Sequence, residues 1–432
     1  MGCLAWLRTR VHPAVVCAEI ASAFYDTGLQ MVVKERCSDN STTTEEDQQK
    51  AMSNFYMTYT MLSNLLPFLP AYFLARYGDR GFRKVPIGVP LLGYLISRTL
   101  LLLVILLELP IQVMFGGAVV YGLCGGYSSY WAGVMALESA TSQKERRSLR
   151  IMGIELAYGI AGFVGSLLSG HLFQIYALGD KNGAVLVVLC IFLYFLCIIY
   201  TFFFLDIPGT SAGNREHRQE GNVGILWNIV EYPRSFNTVI VLLFISAVLY
   251  DIAVAGGMEM LMSFIEKEPL NWDAKQVGYS NAAGFLIFFT SFFGVWLFSK
   301  CVGDASMIMM GMVSFAAGIY FMSFVTATYM FYLARSLTLF ALIPMPMIRS
   351  VLSKQVQPSS YGKILICLQL SFTLASLIYS PIYTKVYQST LGWLPGFVFL
   401  LSSIITVLAI IPVSIVGCKM ARQEGYVSIE GD

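Results

Sequence analysis

Ionisable side chains set inside long apolar stretches are the residues of this chain best placed to do chemistry. A charge at membrane depth is costly, and by default it marks a solute or ion path or a partner. Eight residues fit that description: Glu19, Asp26, Arg98, Glu155, Asp251, Glu259, Arg335 and Arg349. Glu19, Ser22, Asp26 and Gln30 follow steps of three and four, so on a helix they form one polar stripe. Arg335 and Arg349 are fourteen residues apart, which sets them within about 40° of each other on an uninterrupted helix. Pro344 and Pro346 between them should bend that helix and free carbonyls that only a cavity or a neighbour can satisfy. Gly256-Gly257, between Asp251 and Glu259, marks a second expected break. The signs are segregated: one stretch offers cations, two others offer carboxylates. That arrangement suits a solute with separated anionic and cationic groups, with Arg349 and Arg335 on the anion because a planar guanidinium bonds both oxygens of a carboxylate or phosphate. Glu19, Asp26, Asp251 and Glu259 are the candidates for the cation. Any of these charges could equally be half of a structural ion pair, Asp26 with Arg98 for example.

Glu155 stands apart, at the start of a stretch whose face continues through Gly159, Gly162 and Ser166. Burial disfavours the charged form of a carboxyl, so such a group can carry a proton across. The other reading is a surface pair with Arg150. Different chemistries find no footing. The chain has no Gly-x-x-x-x-Gly-Lys-Ser/Thr loop, no His-Glu-x-x-His and no Gly-x-Ser-x-Gly, and His12, His171 and His217 are scattered. We therefore expect no enzyme activity, no metal site, no cofactor beyond a coupling proton, and no nucleic-acid polymer as partner.

The elements that position these residues follow from composition. Of 432 residues 56% are hydrophobic and 12% charged, against about 25% charged in soluble domains. The excess apolar surface must face lipid, whose thickness sets segments of about 20 residues. About twelve such segments are expected, over 12–33, 53–75, 86–107, 111–137, 151–173, 184–205, 237–262, 277–299, 305–325, 329–352, 362–386 and 394–417. The fold class is therefore an all-α membrane protein of two six-helix halves. Its expected domains are 1–205, a linker over 206–236, a second half over 237–417 and a tail over 418–432. The opening Met1–Arg10 lacks a cleavable leader, because its first apolar run continues as a full helix.

Between the second and third segments lies Ala75-Arg76-Tyr77-Gly78-Asp79-Arg80-Gly81-Phe82-Arg83-Lys84. Such a basic turn belongs in the cytoplasm, and so do both termini. Asn40-Ser41-Thr42 in the first outer loop is the expected glycosylation site. The glycine spacing of the fifth segment indicates close helix packing. Five cysteines, Cys17, Cys124, Cys190, Cys197 and Cys367, fall inside apolar segments, and Cys37 alone is plainly outside.

The order Asp79-Arg80-x-x-Arg83-Lys84 resembles the signature loop of the major facilitator superfamily, which implies that Asp79, Arg80 and Arg83 act as a conformational gate. Longer strings narrow the resemblance: Tyr250-Asp251-Ile252-Ala253-Val254, Glu268-Pro269-Leu270-Asn271-Trp272, Phe340-Ala341-Leu342-Ile343-Pro344 and Ser359-Ser360-Tyr361-Gly362-Lys363. The chain resembles solute carrier family 46 over essentially its whole length. That family includes the proton-coupled folate transporter, and the resemblance implies proton-coupled import of an organic solute at the plasma membrane, or at endosomal or lysosomal membranes. Muropeptides of the diaminopimelate type or cyclic dinucleotides for innate immune sensing are implied. The alternatives are a folate or antifolate carrier, or a facilitator or ligand-sensing receptor without proton coupling. Glu155 matches the family's proton-coupling carboxylate, and Arg349 an arginine tied to proton and substrate binding. Val254 departs from a histidine of the folate carrier, and Asn271 from its loop cysteine, so folate-type pH dependence and a disulfide to Cys37 are not implied.

Overall fold

The apolar runs become helices, some of which break at proline or glycine while others continue through them. The computed structural model describes residues 10–38, 55–56, 58–175, 183–205, 238–265, 270, 272, 274–299, 301–390 and 392–430. Asn40 and the expected linker 206–236 lie outside them. The N-terminal group comprises α1 (His12–Ser38), α2 (Phe68–Asp79), α3 (Val85–Leu106), α4 (Val113–Leu123), α5 (Gly126–Thr141), α6 (Arg147–Ile175) and α7 (Ala184–Ile199), the last continued by a π turn, Tyr200–Phe204. The C-terminal group comprises α8 (Thr238–Ile265), α9 (Ala274–Phe298), α10 (Asp304–Met322), α11 (Thr328–Leu337), α12 (Pro344–Lys354), α13 (Tyr361–Thr390) and α14 (Phe397–Glu430). Every one of these elements is helical.

Among the described residues seven helices are long and apolar enough to cross a membrane. Of the other five expected segments, the eighth lies in the unbroken α9, and the remaining four are interrupted or diluted, each for a visible reason. α1 gives one face to its polar stripe. The second segment is helical over 58–65 and again from Phe68, parted by a turn at Leu66–Pro67. The fourth is cut at Gly125 and Gly126, whose φ angles of 93° and 55° an ordinary side chain rarely adopts. The tenth is cut between Leu337 and Pro344, as the prolines require.

The expected break at Gly256-Gly257 does not occur, and α8 runs through both glycines. Their small size serves close approach instead. A Cβ on Gly256 would stand 2.7 Å from the Tyr383 ring of α13, and one on Gly257 2.9 Å from Ser402 Oγ of α14. α1 packs on α6 and α7, and α3 on α4, α5 and α7, while α8 packs on α13 and α14. Among the described residues five helix pairs cross between the groups: α6 with α9, α6 with α12, α5 with α12, α5 with α13, and α2 with α13.

Candidate functional site

The crossing pairs build a polar seam, densest at the face that carries the basic turn. The start of α6 presents Arg147, Ser148 and Glu155 toward α12 and α13. Ser148 and Ser350 share a hydrogen bond of 2.8 Å. Arg147 donates to Ser353 Oγ at 3.2 Å and to the Tyr361 hydroxyl at 3.1 Å, with its guanidinium carbon 5.0 Å from the Tyr361 ring centre. Two turns along α6, Glu155 Oε1 accepts from an Arg349 guanidinium nitrogen at 2.6 Å, with the side chains only 9% and 11% exposed. The partner read from sequence proximity, Arg150, is engaged elsewhere. It donates to the Thr141 carbonyl at 3.0 Å and lies 3.7 Å from Glu138, whose other cation, Arg10, is 3.4 Å away. Glu138 is buried and was missed in the sequence, because it sits one residue past the expected end of its apolar segment.

On the same face, Asp79 caps α13 from a different helix. Its two carboxylate oxygens accept the Gly362 and Lys363 N–H groups at 2.8 and 2.9 Å, where the helix dipole favours negative charge. Arg83 donates to the Pro358 carbonyl at 3.4 Å. Arg80 is exposed, and its backbone N–H closes the end of α2 on Tyr77.

Inside the N-terminal group, Arg98 makes no ion pair with Asp26 among the described residues. Its guanidinium carbon lies 3.7 Å from the Tyr25 ring centre, 4.6 Å from Tyr94, 5.6 Å from Tyr194 and 5.8 Å from Tyr121. Cation–π attraction and shielding from lipid hold the charge there. Arg98 Nε is buried without a hydrogen-bond partner. Beyond those rings a cavity of 90 Å³ is lined by Glu19 and Ser22 of α1 and by Tyr94, Tyr127, Tyr130, Tyr158 and Tyr194. Asp26 and Gln30, further along the stripe, are exposed. The tyrosines were not singled out in the sequence; the signal was Tyr94, four residues before Arg98, and Tyr127 with Tyr130 three apart.

In the C-terminal group Asp251 is half-buried and Glu259 is exposed, accepting from Ser380 at 2.5 Å. Arg335 is half-buried with Nε unpartnered. One guanidinium nitrogen lies 3.8 Å from Met258 Sδ, and its carbon is 5.6 Å from the Phe331 ring centre. Because the tenth segment is two helices, the fourteen-residue spacing does not align Arg335 with Arg349. Arg349 reaches across to α6, whereas Arg335 turns inward to α8. Among the described residues no cluster of metal-ligating side chains occurs.

The chain matches the Major Facilitator Superfamily model over residues 50–300. It is 42% identical to solute carrier family 46 member 2 of Canis lupus familiaris, over 97% of this chain and 95% of that protein. It is 27% identical to the lysosomal proton-coupled steroid conjugate and bile acid symporter of Homo sapiens, over 88% and 84%. Among solved structures it resembles the human organic anion transporter MFSD10, at 14% identity and TM-score 0.70, over 94% of this chain and 99% of that one. The Escherichia coli fucose:proton symporter FucP is similar at 13% identity and TM-score 0.71, over 96% and 98%. These likenesses establish the fold.

Proposed function

This chain belongs to solute carrier family 46, within the major facilitator superfamily, and from that premise we propose a proton-coupled symporter that imports an anionic or zwitterionic organic solute. The Glu155–Arg349 pair carries this proposal. It joins the two helix groups through one buried contact, and Arg349 is the only cation with which Glu155 pairs among the described residues. A proton on Glu155 cancels its charge and frees the guanidinium for a carboxylate or phosphate. Proton without solute leaves Arg349 buried and unpaired, a state costing about 3–5 kcal/mol. Proton and anion together leave every charge matched, which is the physical basis of coupling. Arg335, which has no carboxylate partner among the described residues, is a second anion contact. The carboxylates of α1 and α8 meet the cationic part.

The topology proposed is twelve crossings in two six-helix halves, with both termini and the basic turn cytoplasmic. The interlocked α2, α6, α12 and α13 ends then close the cytoplasmic side, and the exposure of Asp26, Gln30 and Glu259 supports an outward opening. The family resemblance favours diaminopimelate-type muropeptides or cyclic dinucleotides, taken from an acidic outer space at the plasma membrane or an endolysosomal membrane. Uptake of a labelled muropeptide panel at acidic and neutral outer pH tests this. Accumulation against a gradient, present only with an inward proton gradient, is expected. Uptake indifferent to that gradient would make the protein a facilitator.

A further inference from the structure

The tyrosine-lined cavity holds a carboxylate, Glu19, that is half-buried and has no ion-pair partner among the described residues. Its neighbour Gly162 leaves it room, since a Cβ there would stand 3.2 Å from Glu19 Oε1. Tyr158 stands against it and within electrostatic reach of Glu155. Arg98, the nearby cation, does not line the cavity; it lies against Tyr94 and Tyr194, which do. A carboxylate, a serine side chain and five tyrosines thus line one space.

We propose that this cavity is the subsite for a primary ammonium group of the transported solute. An ammonium has three N–H donors, and the Glu19 carboxylate and the Ser22 hydroxyl offer acceptors for them. The tyrosine faces add cation–π attraction, which grows when the cation is desolvated. A volume of 90 Å³ has room for several water molecules, and so for the amine end of a chain. The rest of the solute would remain at the seam, where its anionic group meets Arg349. Asp26 and Gln30, exposed on the same stripe, lead into the cavity. The proposal deepens the symport mechanism and rests on it only in assigning the amine to the transported solute.

The structure supplies a reporter. Trp131 is 5.1 Å from the Tyr158 ring centre and stacks on Tyr127 at 5.8 Å, and both tyrosines line the cavity. Full-length protein in lipid nanodiscs is titrated with methylammonium chloride at constant ionic strength, and tryptophan fluorescence is read. Trp131→Phe subtracts the other tryptophans. A saturable change is expected, weakened about tenfold or more by Glu19→Gln and about threefold by Ser22→Ala, as for loss of a charged and of a neutral hydrogen bond. Tetramethylammonium, which has no N–H, should bind at least about fivefold more weakly than methylammonium. Size-exclusion profiles show that each variant is folded, and Ser22→Ala keeps the test alive if Glu19→Gln is not. No saturable change, or one unaltered in both variants, overturns the proposal. Tetramethylammonium binding as tightly as methylammonium overturns the assignment to a primary amine. The titration uses no proton gradient, so absence of acid-stimulated uptake would sink symport and leave this site standing.

Discussion

Arg349 can satisfy Glu155 or an incoming anion, and the two compete because one guanidinium spans one seam. Glu155→Gln removes the competitor while keeping its shape. Acid stimulation of uptake should disappear, and exchange of solute across the membrane should continue. Equal loss of both would make Glu155 structural. Arg349→Lys keeps the charge but not the planar fork, so apparent affinity should fall about tenfold or more while surface expression holds, a loss matching one charged hydrogen bond. Arg335 tests the second anion contact differently. Its Nε has no hydrogen-bond partner among the described residues, so Arg335→Gln should leave thermal stability unchanged or raised and still weaken binding of the anionic solute about tenfold. Normal affinity in that variant would confine the anion to Arg349.

Between α2 and α13 the joint is a helix terminus held by a foreign carboxylate. Asp79→Ala leaves the Gly362 and Lys363 N–H groups uncapped, a loss of about 0.5–2 kcal/mol in the closed arrangement. The proposed substrate contacts are elsewhere, so the maximal uptake rate should drop with little change in apparent affinity. A large affinity loss at normal rate would move this turn into the binding site. Ser148 and Ser350 form a second joint, α6 to α12, with hydroxyl oxygens 2.8 Å apart. The Ser148→Cys, Ser350→Cys pair should cross-link under mild oxidant and arrest uptake until reductant is added. Unimpeded uptake by the cross-linked protein would show that this face does not open.

For the whole molecule, topology and coupling stand on one assignment of sides. The hydrogen bonds that cross between groups involve the basic turn, the first turns of α6, the body of α12 and the start of α13, with Ser128–Thr373 a further contact at 3.5 Å. If that face is cytoplasmic, Asn40 is on the outer side and should carry a glycan. Deglycosylation should then shift the native protein on a gel and not Asn40→Gln. Unchanged mobility of the native protein would remove that support for the orientation.

Hydropathy and charge in the chain alone determined that it is an all-helical membrane protein, which stretches are helical, and that the prolines of the tenth segment interrupt it. Those properties follow from lipid thickness, backbone hydrogen bonding and local sterics, each read within some twenty residues. The ionisable residues that matter were legible for the same reason, since a charge in an apolar run stands out wherever it is. Their partners were not. Glu155 belongs to Arg349, 194 positions away, and not to Arg150; Arg98 belongs to four tyrosine rings and not to Asp26. Gly256-Gly257 is a packing surface and not a break, because Tyr383 and Ser402 are where a broken helix would have left space. Pairing of buried charges depends on which helix faces which, and that is decided by packing among segments far apart in the chain. A stripe of residues at helical spacing fixes a face and leaves open what the face meets.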